Sequence, residues 1–523
     1  MRTYQSNCIF RMLIMVVVLS SCRSESKQYR KEPKKSQSIM VDVQQDETFQ
    51  TIAHFGASDA WSCQFVGQWP APKKSAMAEL LFSREVDQEG RPKGIGLSLW
   101  RFNIGAGSAG QGDESGIRDE WRRAASFLGP DGQYDWNKQA GQVWFALAAQ
   151  AYDVPHLLVF PNSPPVHMTK NGKAYADDGI PNLDKEKYNA FGQYLAKVIK
   201  GLEGKGLKVD YVSPVNEPQW DWSDGGQEGT PFYNVDIAGI VKSLDASLTA
   251  AGLSTKIDVA EAGKINYLYE TADKPGRGKQ IEAFFDEDSE YFIGDLDHVG
   301  HAISGHSYFT TSPHHAAVEQ RQNLHRTVSK IAGMTYWMSE YCILGDNGGE
   351  IEGNGRDLGI DPALYMARVI HDDLTVANAS AWHWWLAISP YDYKDGLIYI
   401  DYDQQDGDFH ESKMLWALGN YSRFIRPNYQ RKGVVISGNE EQASHLLASA
   451  FSSPAQDEMV YVLVNSGPEA VAAGLAVDGK AVMAQQAFIT SKDFDLMPMA
   501  LEGDTFDIPA RSILTVIVKP LDY

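Results

Sequence analysis

Residues 207–218 read LKVDYVSPVNEP. The run LKVDYVS (207–213) reads as a β-strand, in which β-branched and aromatic side chains pack well. It runs into Pro214 and then into a loop that carries Asn216 and Glu217. Pro218 has no amide proton, so a ladder cannot continue through it and the chain must turn. Further on, 236–251 (DIAGIVKSLDASLTAA) has helical spacing and 256–260 (KIDVA) is strand-like again. Strand, helix and strand in that order form a βαβ unit, which builds a parallel sheet.

The same alternation extends in both directions. Candidate strands are 52–58, 95–102, 155–160, 207–213, 256–260, 301–307, 334–339 and 380–386. Helical patterns lie between them at 140–151, 187–201, 236–251, 317–332 and 361–377. Eight strands with intervening helices fit an α/β (β/α)8 TIM barrel over residues 51–421. After Tyr421 the helical pattern stops. Segments 433–437, 444–450, 459–465, 482–489 and 512–518 are short, strand-like and separated by turn residues. They read as an antiparallel β-sandwich over 422–523. Residues 39–50 (IMVDVQQDETFQ) also alternate, and are expected to pair into that sandwich.

The chain begins with a basic start and an apolar run, Met12 to Leu19, too short to span a bilayer. Leu19-Ser20-Ser21-Cys22 resembles a bacterial lipobox. The expectation is a signal peptide over 1–21, lipidation at Cys22 and a tether over 22–38, in an exported outer-membrane lipoprotein at the cell surface or in the periplasm. An ordinary secretory signal with a chance cysteine is the alternative. The tether is too polar to fold. Leader and tether are both basic, so the remaining body is more acidic than the whole chain, whose net charge is −21. Such a body repels phosphate backbones, which argues against nucleic acid. Of the four cysteines, Cys63 and Cys342 remain in the body; they are expected to be unpaired and buried, a disulfide being the alternative.

In a barrel of this type the active site lies where strands end. The fourth strand ends at Glu217 and the seventh (334–339) at Glu340. Two carboxyl groups across one pocket are what glycosidic cleavage needs: one protonated to supply the leaving oxygen, one ionised to attack. Singly, each glutamate is more simply a solvated loop residue. Together, beside a Trp-rich loop, they point to a site.

Several motifs fall in order: FGASDAW (55–61), Arg101, SPPVHMTKNG (163–172), Asn216-Glu217-Pro218, His306-Ser307-Tyr308, Glu340, and Trp384-Trp385. On these the chain resembles glycoside hydrolase family 30. The resemblance implies a retaining glycosidase with Glu217 as acid/base and Glu340 as nucleophile, and no cofactor or metal. It also implies substrate-binding roles for Asp59, Trp61, Arg101, Asn171, Asn216, Trp220, Trp222, His306, Tyr308, Trp384 and Trp385. Arg101 would hold Glu340 ionised; a structural ion pair is the plain alternative. His167 departs from the family, which often has Trp there, and that bears on the shape of the cleft. The stretch SPYDYKDGLIYID (389–401) resembles members acting on β-1,6-galactan. The reading is therefore an endo-β-1,6-galactanase acting on a polysaccharide or oligosaccharide, as a monomer. Alternatives are a xylanase, β-1,6-glucanase or β-glucosidase of the same family, or a non-catalytic glycan-binding protein.

Gly105 to Gly110 spells GxGxxG, but the polar, Gly-interrupted stretch after it does not suit a dinucleotide site. His314-His315 lacks a third ligand at metal spacing. Glu261, after the fifth strand, is a third candidate acid and is given no catalytic role.

Overall fold

The computed structural model describes residues 38–501 and 503–519. The leader, Cys22 and the tether up to residue 37 lie outside the described residues. Among those described, no helix is long and apolar enough to cross a membrane.

The first strand, β1 (Ile39–Thr51), precedes the barrel. The barrel strands are β2 (His54–Ser58), β3 (Leu99–Ile104), β4 (His156–Pro161), β5 (Tyr211–Val212), β6 (Lys256–Ala262), β7 (Val299–His306), β8 (Thr335–Glu340) and β9 (Ala379–Ser389). Each pairs in parallel with the next, and β9 pairs with both β8 and β2, which closes the ring. Every residue of β2, β3 and β9 is buried, as expected of strands covered on both faces. Below the active end, His54, Tyr211 and Trp337 fill the interior, with His54 and Trp337 ring centroids 4.5 Å apart. The barrel is thus a packed core with one open end.

The helices Ala140–Ala151, Tyr188–Glu203, Asn234–Ala251, His314–Val328 and Ile360–Thr375 fall on the expected patterns. The expected strand 207–213 does not form in full: regular pairing is confined to Tyr211 and Val212. The Leu207 amide turns back to the Leu202 carbonyl (3.2 Å) and the Val209 carbonyl accepts the Thr255 hydroxyl (2.9 Å); main-chain bonding to the neighbouring strands starts at Asp210, which donates to the Leu157 carbonyl (2.9 Å) and accepts from the Lys256 amide (2.8 Å). Beyond β9, β10 (Gly396–Ile400) adds in parallel and β11 (Phe409–Glu411) antiparallel, extending the barrel wall on one side.

The second sheet holds β1 with β12 (Gln430–Ser437), β13 (Leu446–Ser452), β14 (Met459–Asn465), β15 (Val471–Val477), β16 (Lys480–Val482), β17 (Gln486–Thr490), β18 (Met497–Pro498), β19 (Phe506–Ile508) and β20 (Ser512–Val518). Its pairings are antiparallel except one: β1 runs parallel to β15 while pairing antiparallel with β12. Alternate residues face inward and meet each other. Ile39, Val41 and Val43 share a core with Leu446, Tyr461, Leu475 and Val516. The intervening residues, Val460, Val462, Val464, Ile513 and Ile517, belong to the barrel's own core. The sheet therefore has two apolar faces, one folded on itself and one packed on the barrel. Cys63 and Cys342 are free and buried.

Candidate active site

Several irregularities at the barrel's C-terminal end aim side chains inward. Pairing slips between Gly305 and His306 against Met338 and Glu340, leaving Ser339 as the extra residue. It slips again between Ala57 and Ser58 against Trp384 and Leu386, leaving Trp385 extra. A bulge of this kind turns one side chain out of the alternation. Glu217, Trp222, Glu261 and Phe309 are left-handed, with φ of 45°, 50°, 50° and 58°. For residues other than glycine this conformation is strained and needs its surroundings to hold it. The Glu217 amide, for example, donates to the Glu261 carbonyl at 2.8 Å, and the Trp222 indole donates to the Glu217 carbonyl at 3.1 Å.

These features bring Glu217 and Glu340 to one cleft of about 600 Å³, lined also by Asn216, Trp220, Trp222, Tyr308 and Trp385. One oxygen of Glu217 and one of Glu340 lie within 4.8 Å of each other. Glu340 accepts from Arg101 Nη1 and from the Tyr308 hydroxyl (3.0 Å). Arg101 Nη2 donates to Asn216 Oδ1 at 2.9 Å, and the guanidinium lies 3.7 Å from the Phe160 ring centre. His306 faces Glu217 through Nδ1 (3.0 Å) and Glu261 through Nε2 (2.7 Å).

Burial alone would lower the His306 pKa, but Glu340, Glu217 and Glu261 around it raise it to about 10. Burial would raise Glu261, but Arg101, His306 and Ser339 hold it below the usual carboxylate range. Burial pushes Glu340 upward, and His306 and Arg101 oppose that rise. With both His306 nitrogens protonated, each donates to a carboxylate. The site then holds three carboxyl groups and two fixed cations, so it keeps one further proton at little electrostatic cost.

Among the described residues, Glu217, His306 and Glu340 form the one group of donors close enough to hold a metal ion. Both nitrogens of the His306 ring are engaged by carboxylates and Arg101 sits on Glu340, so an added cation would face two cations already in place.

The remaining expected residues divide. Trp61 packs edge-on to Trp385 at 5.4 Å, behind the cleft wall. Three residues expected at the substrate lie elsewhere. Asp59 is buried and accepts the Asn103 amide (2.7 Å); burial lifts its pKa to about 8. Asn171 ties its own loop together through the Tyr175 carbonyl and Asp177. Trp384 is fully buried, stacked on Trp382 with its indole donating to the Asp395 carbonyl at 2.7 Å. Trp385, the extra residue of the bulge, lines the cleft in its place. His167 lines a separate hollow with Gly107, Gln111 and Val166. The GxGxxG loop is tied down by Glu228, which accepts from Ala106 and Ser108. His314 pairs with Asp372 at 3.1 Å.

Sequence reasoning missed Lys264, Phe309 and Arg122, which also line the cleft. Phe309 follows directly on the Tyr308 motif, the one signal that pointed to it. Lys264 lies about 5 to 6 Å from the Trp220, Tyr267 and Phe309 rings.

A family model described as O-Glycosyl hydrolase family 30 matches residues 36–399. An endo-beta-1,6-galactanase of Hypocrea rufa is 24% identical over 394 residues, 72% of this chain and 72% of that one. An exo-beta-1,6-galactobiohydrolase of Bifidobacterium longum subsp. longum is 31% identical over 133 residues, 24% of this chain and 9% of that much longer one. The crystal structure of a conserved exported protein from Bacteroides fragilis superposes with a TM-score of 0.85 at 33% identity, covering 92% of this chain and 100% of that chain. A match over most of the barrel, ending on a cleft with two facing glutamates, leads to one conclusion: the chain belongs to O-glycosyl hydrolase family 30 and is a glycosidase.

Proposed function

We propose that the protein is a retaining endo-β-1,6-galactanase, with Glu340 as nucleophile and Glu217 as acid/base. The observation that carries the retaining mechanism is the approach of one Glu217 oxygen and one Glu340 oxygen to within 4.8 Å. Retaining enzymes hold the pair about 5–5.5 Å apart, whereas inverting enzymes leave about 6.5–9.5 Å for a water.

A Glu340 oxygen attacks the anomeric carbon. The bond to the leaving oxygen breaks as that oxygen takes the proton of Glu217, and an ester between sugar and Glu340 forms. Glu217, now ionised, removes a proton from water as it attacks the same carbon, and Glu340 leaves. The division of roles follows from the donors. Glu340 receives a guanidinium and a phenol, which favour its charged form. Asn216, steadied by Arg101, is placed to bond a sugar hydroxyl beside the reacting carbon, a contact that strengthens in the transition state. Trp220, Trp222 and Trp385 offer indole surface to the apolar faces of sugars.

The choice of β-1,6-galactan draws support from the similarity to the Hypocrea rufa enzyme and from the 389–401 stretch, which forms β10 and its approach beside β9. The test is release of reducing sugar from β-1,6-galactan, β-1,6-glucan, glucuronoxylan and aryl β-glucosides. Wild type should cleave galactan, and Glu217→Gln and Glu340→Gln should each lose about 10³-fold or more. Cleavage of xylan or glucan in preference to galactan overturns the substrate; unimpaired turnover by either variant overturns the roles.

A further inference from the structure

Glu261, the residue before the last in β6, is completely buried and is not among the residues lining the cleft. Its backbone is fixed on both sides: its amide donates to Ser304 Oγ at 3.0 Å, and its carbonyl receives the Glu217 amide. Ser213 donates to its Oε1 (3.0 Å). Its other oxygen, Oε2, receives Ser339 Oγ (2.7 Å) and His306 Nε2 (2.7 Å), and lies 3.3 Å from Arg101 Nη2. One oxygen thus stands behind both cations of the site. His306 reaches forward to Glu217 and Arg101 reaches forward to Glu340.

We propose that Glu261 is a positioning residue for this reaction: by anchoring Arg101 and His306 as a fixed pair of cations, it sets how protons divide between Glu217 and Glu340. The inference rests on the retaining reading above. Glu261 touches no substrate; it acts through the two cations and through its own charge, which bears directly on Glu340.

The groups around it are consistent with this role. On its own strand, Asp258 shares the Ser213 hydroxyl, and burial together with Glu261 pushes Asp258 well above the carboxylate range, so it is neutral. From β9, burial and Arg101 lower His383 to about 3, so it is neutral as well. From β8 and the loop after β7, Tyr336 and Tyr308 are pushed well up, chiefly by burial, and stay protonated. The charged groups left facing Glu261 are Arg101, His306 and Glu340. A carboxylate that only satisfied Ser213 and Ser339 would not need to meet both cations through a single oxygen.

The measurement is the pH dependence of kcat/KM for wild type and Glu261→Gln on whichever glycan the enzyme cleaves. Removing this negative charge lets Glu340 ionise more easily, so the acid limb moves to lower pH. It also lets His306 give up its proton more easily, so the alkaline limb moves to lower pH too. The whole bell should shift acidward by about one pH unit or more. A fall in height with both limbs in place overturns the proposal, because that is what loss of packing alone would do. Since Glu261→Gln could fail to fold, the second measurement uses wild type. Nitrogen-15 labelled histidine, with His306 assigned by its absence in His306→Gln, should show a doubly protonated ring at pH 8. A neutral ring at pH 7 overturns the proposal. Full activity of Glu340→Gln would instead sink the retaining reading, and the ring titration would still decide the charge state of His306.

Discussion

At the scale of single residues, Arg101 matters more than its position inside a strand suggests. It is fully buried and serves Glu340, Asn216 and Glu261 at once. Its charge opposes the rise that burial imposes on Glu340. Arg101→Met removes that opposition, so the folded-state pKa of Glu340 climbs and the nucleophile becomes protonated at higher pH. The acid limb of kcat/KM is expected to move to higher pH, opposite in sign to the shift expected of Glu261→Gln. Because Glu340 and Glu261 then lose a buried partner, the thermal midpoint should also fall, on the order of 3 kcal/mol in stability. An acid limb that stays in place would mean that Arg101 serves packing alone. The two carboxylates were legible in the sequence because each follows a strand pattern, and Arg101 because it falls in order among the motifs. Which of Trp384 and Trp385 faces the sugar was not, because that depends on the bulge at Trp385.

At the scale of elements, the strands and loops fix the aromatic surface of the cleft. Gly263 directly follows β6. A Cβ there would come within 2.6 Å of the Trp220 indole nitrogen, and the backbone is not left-handed, so the ring rather than the chain must move. Gly263→Ala is expected to raise KM about 2- to 10-fold, the range of a lost aromatic contact of about 0.5–1.5 kcal/mol, with kcat little changed. Michaelis kinetics on defined oligosaccharides decides this; a collapse of kcat at constant KM would mean that the Glu261 backbone moved instead. Element positions matched the apolar pattern at 140–151, 459–465 and 512–518. They failed at 207–209, where the Leu207 amide turns back to Leu202 and the Thr255 hydroxyl takes the Val209 carbonyl, and at β15, whose VAAGLAV carries little β-branched signal.

At the scale of the whole molecule, barrel and sheet share one core. Val460, Val462 and Val464 of β14 pack with the barrel, while Tyr461 and Leu463 face the sheet's own interior. Asn420, on the helix Lys413–Ser422, donates to the Thr515 hydroxyl at 2.9 Å and receives it at its own carbonyl at 2.7 Å. Unfolding is therefore expected to be a single cooperative transition in calorimetry. Val462→Asp places an unpaired charge in the shared core and should lower the one midpoint, costing on the order of 3 kcal/mol or more, without splitting it. Two separate transitions in wild type would show that the two parts are energetically independent.

The sequence by itself determined the barrel, the sheet that both ends of the chain build, and the two glutamates, because these follow from local periodicity and from what ends each strand. Only the tertiary structure decided that β1 lies parallel to β15, that Asp59, Asn171 and Trp384 stay away from the cleft, and that one oxygen of Glu261 meets both cations. Those facts depend on which strands slip by a residue and on groups brought together from positions 101, 261 and 306, distances along the chain over which no local pattern carries information.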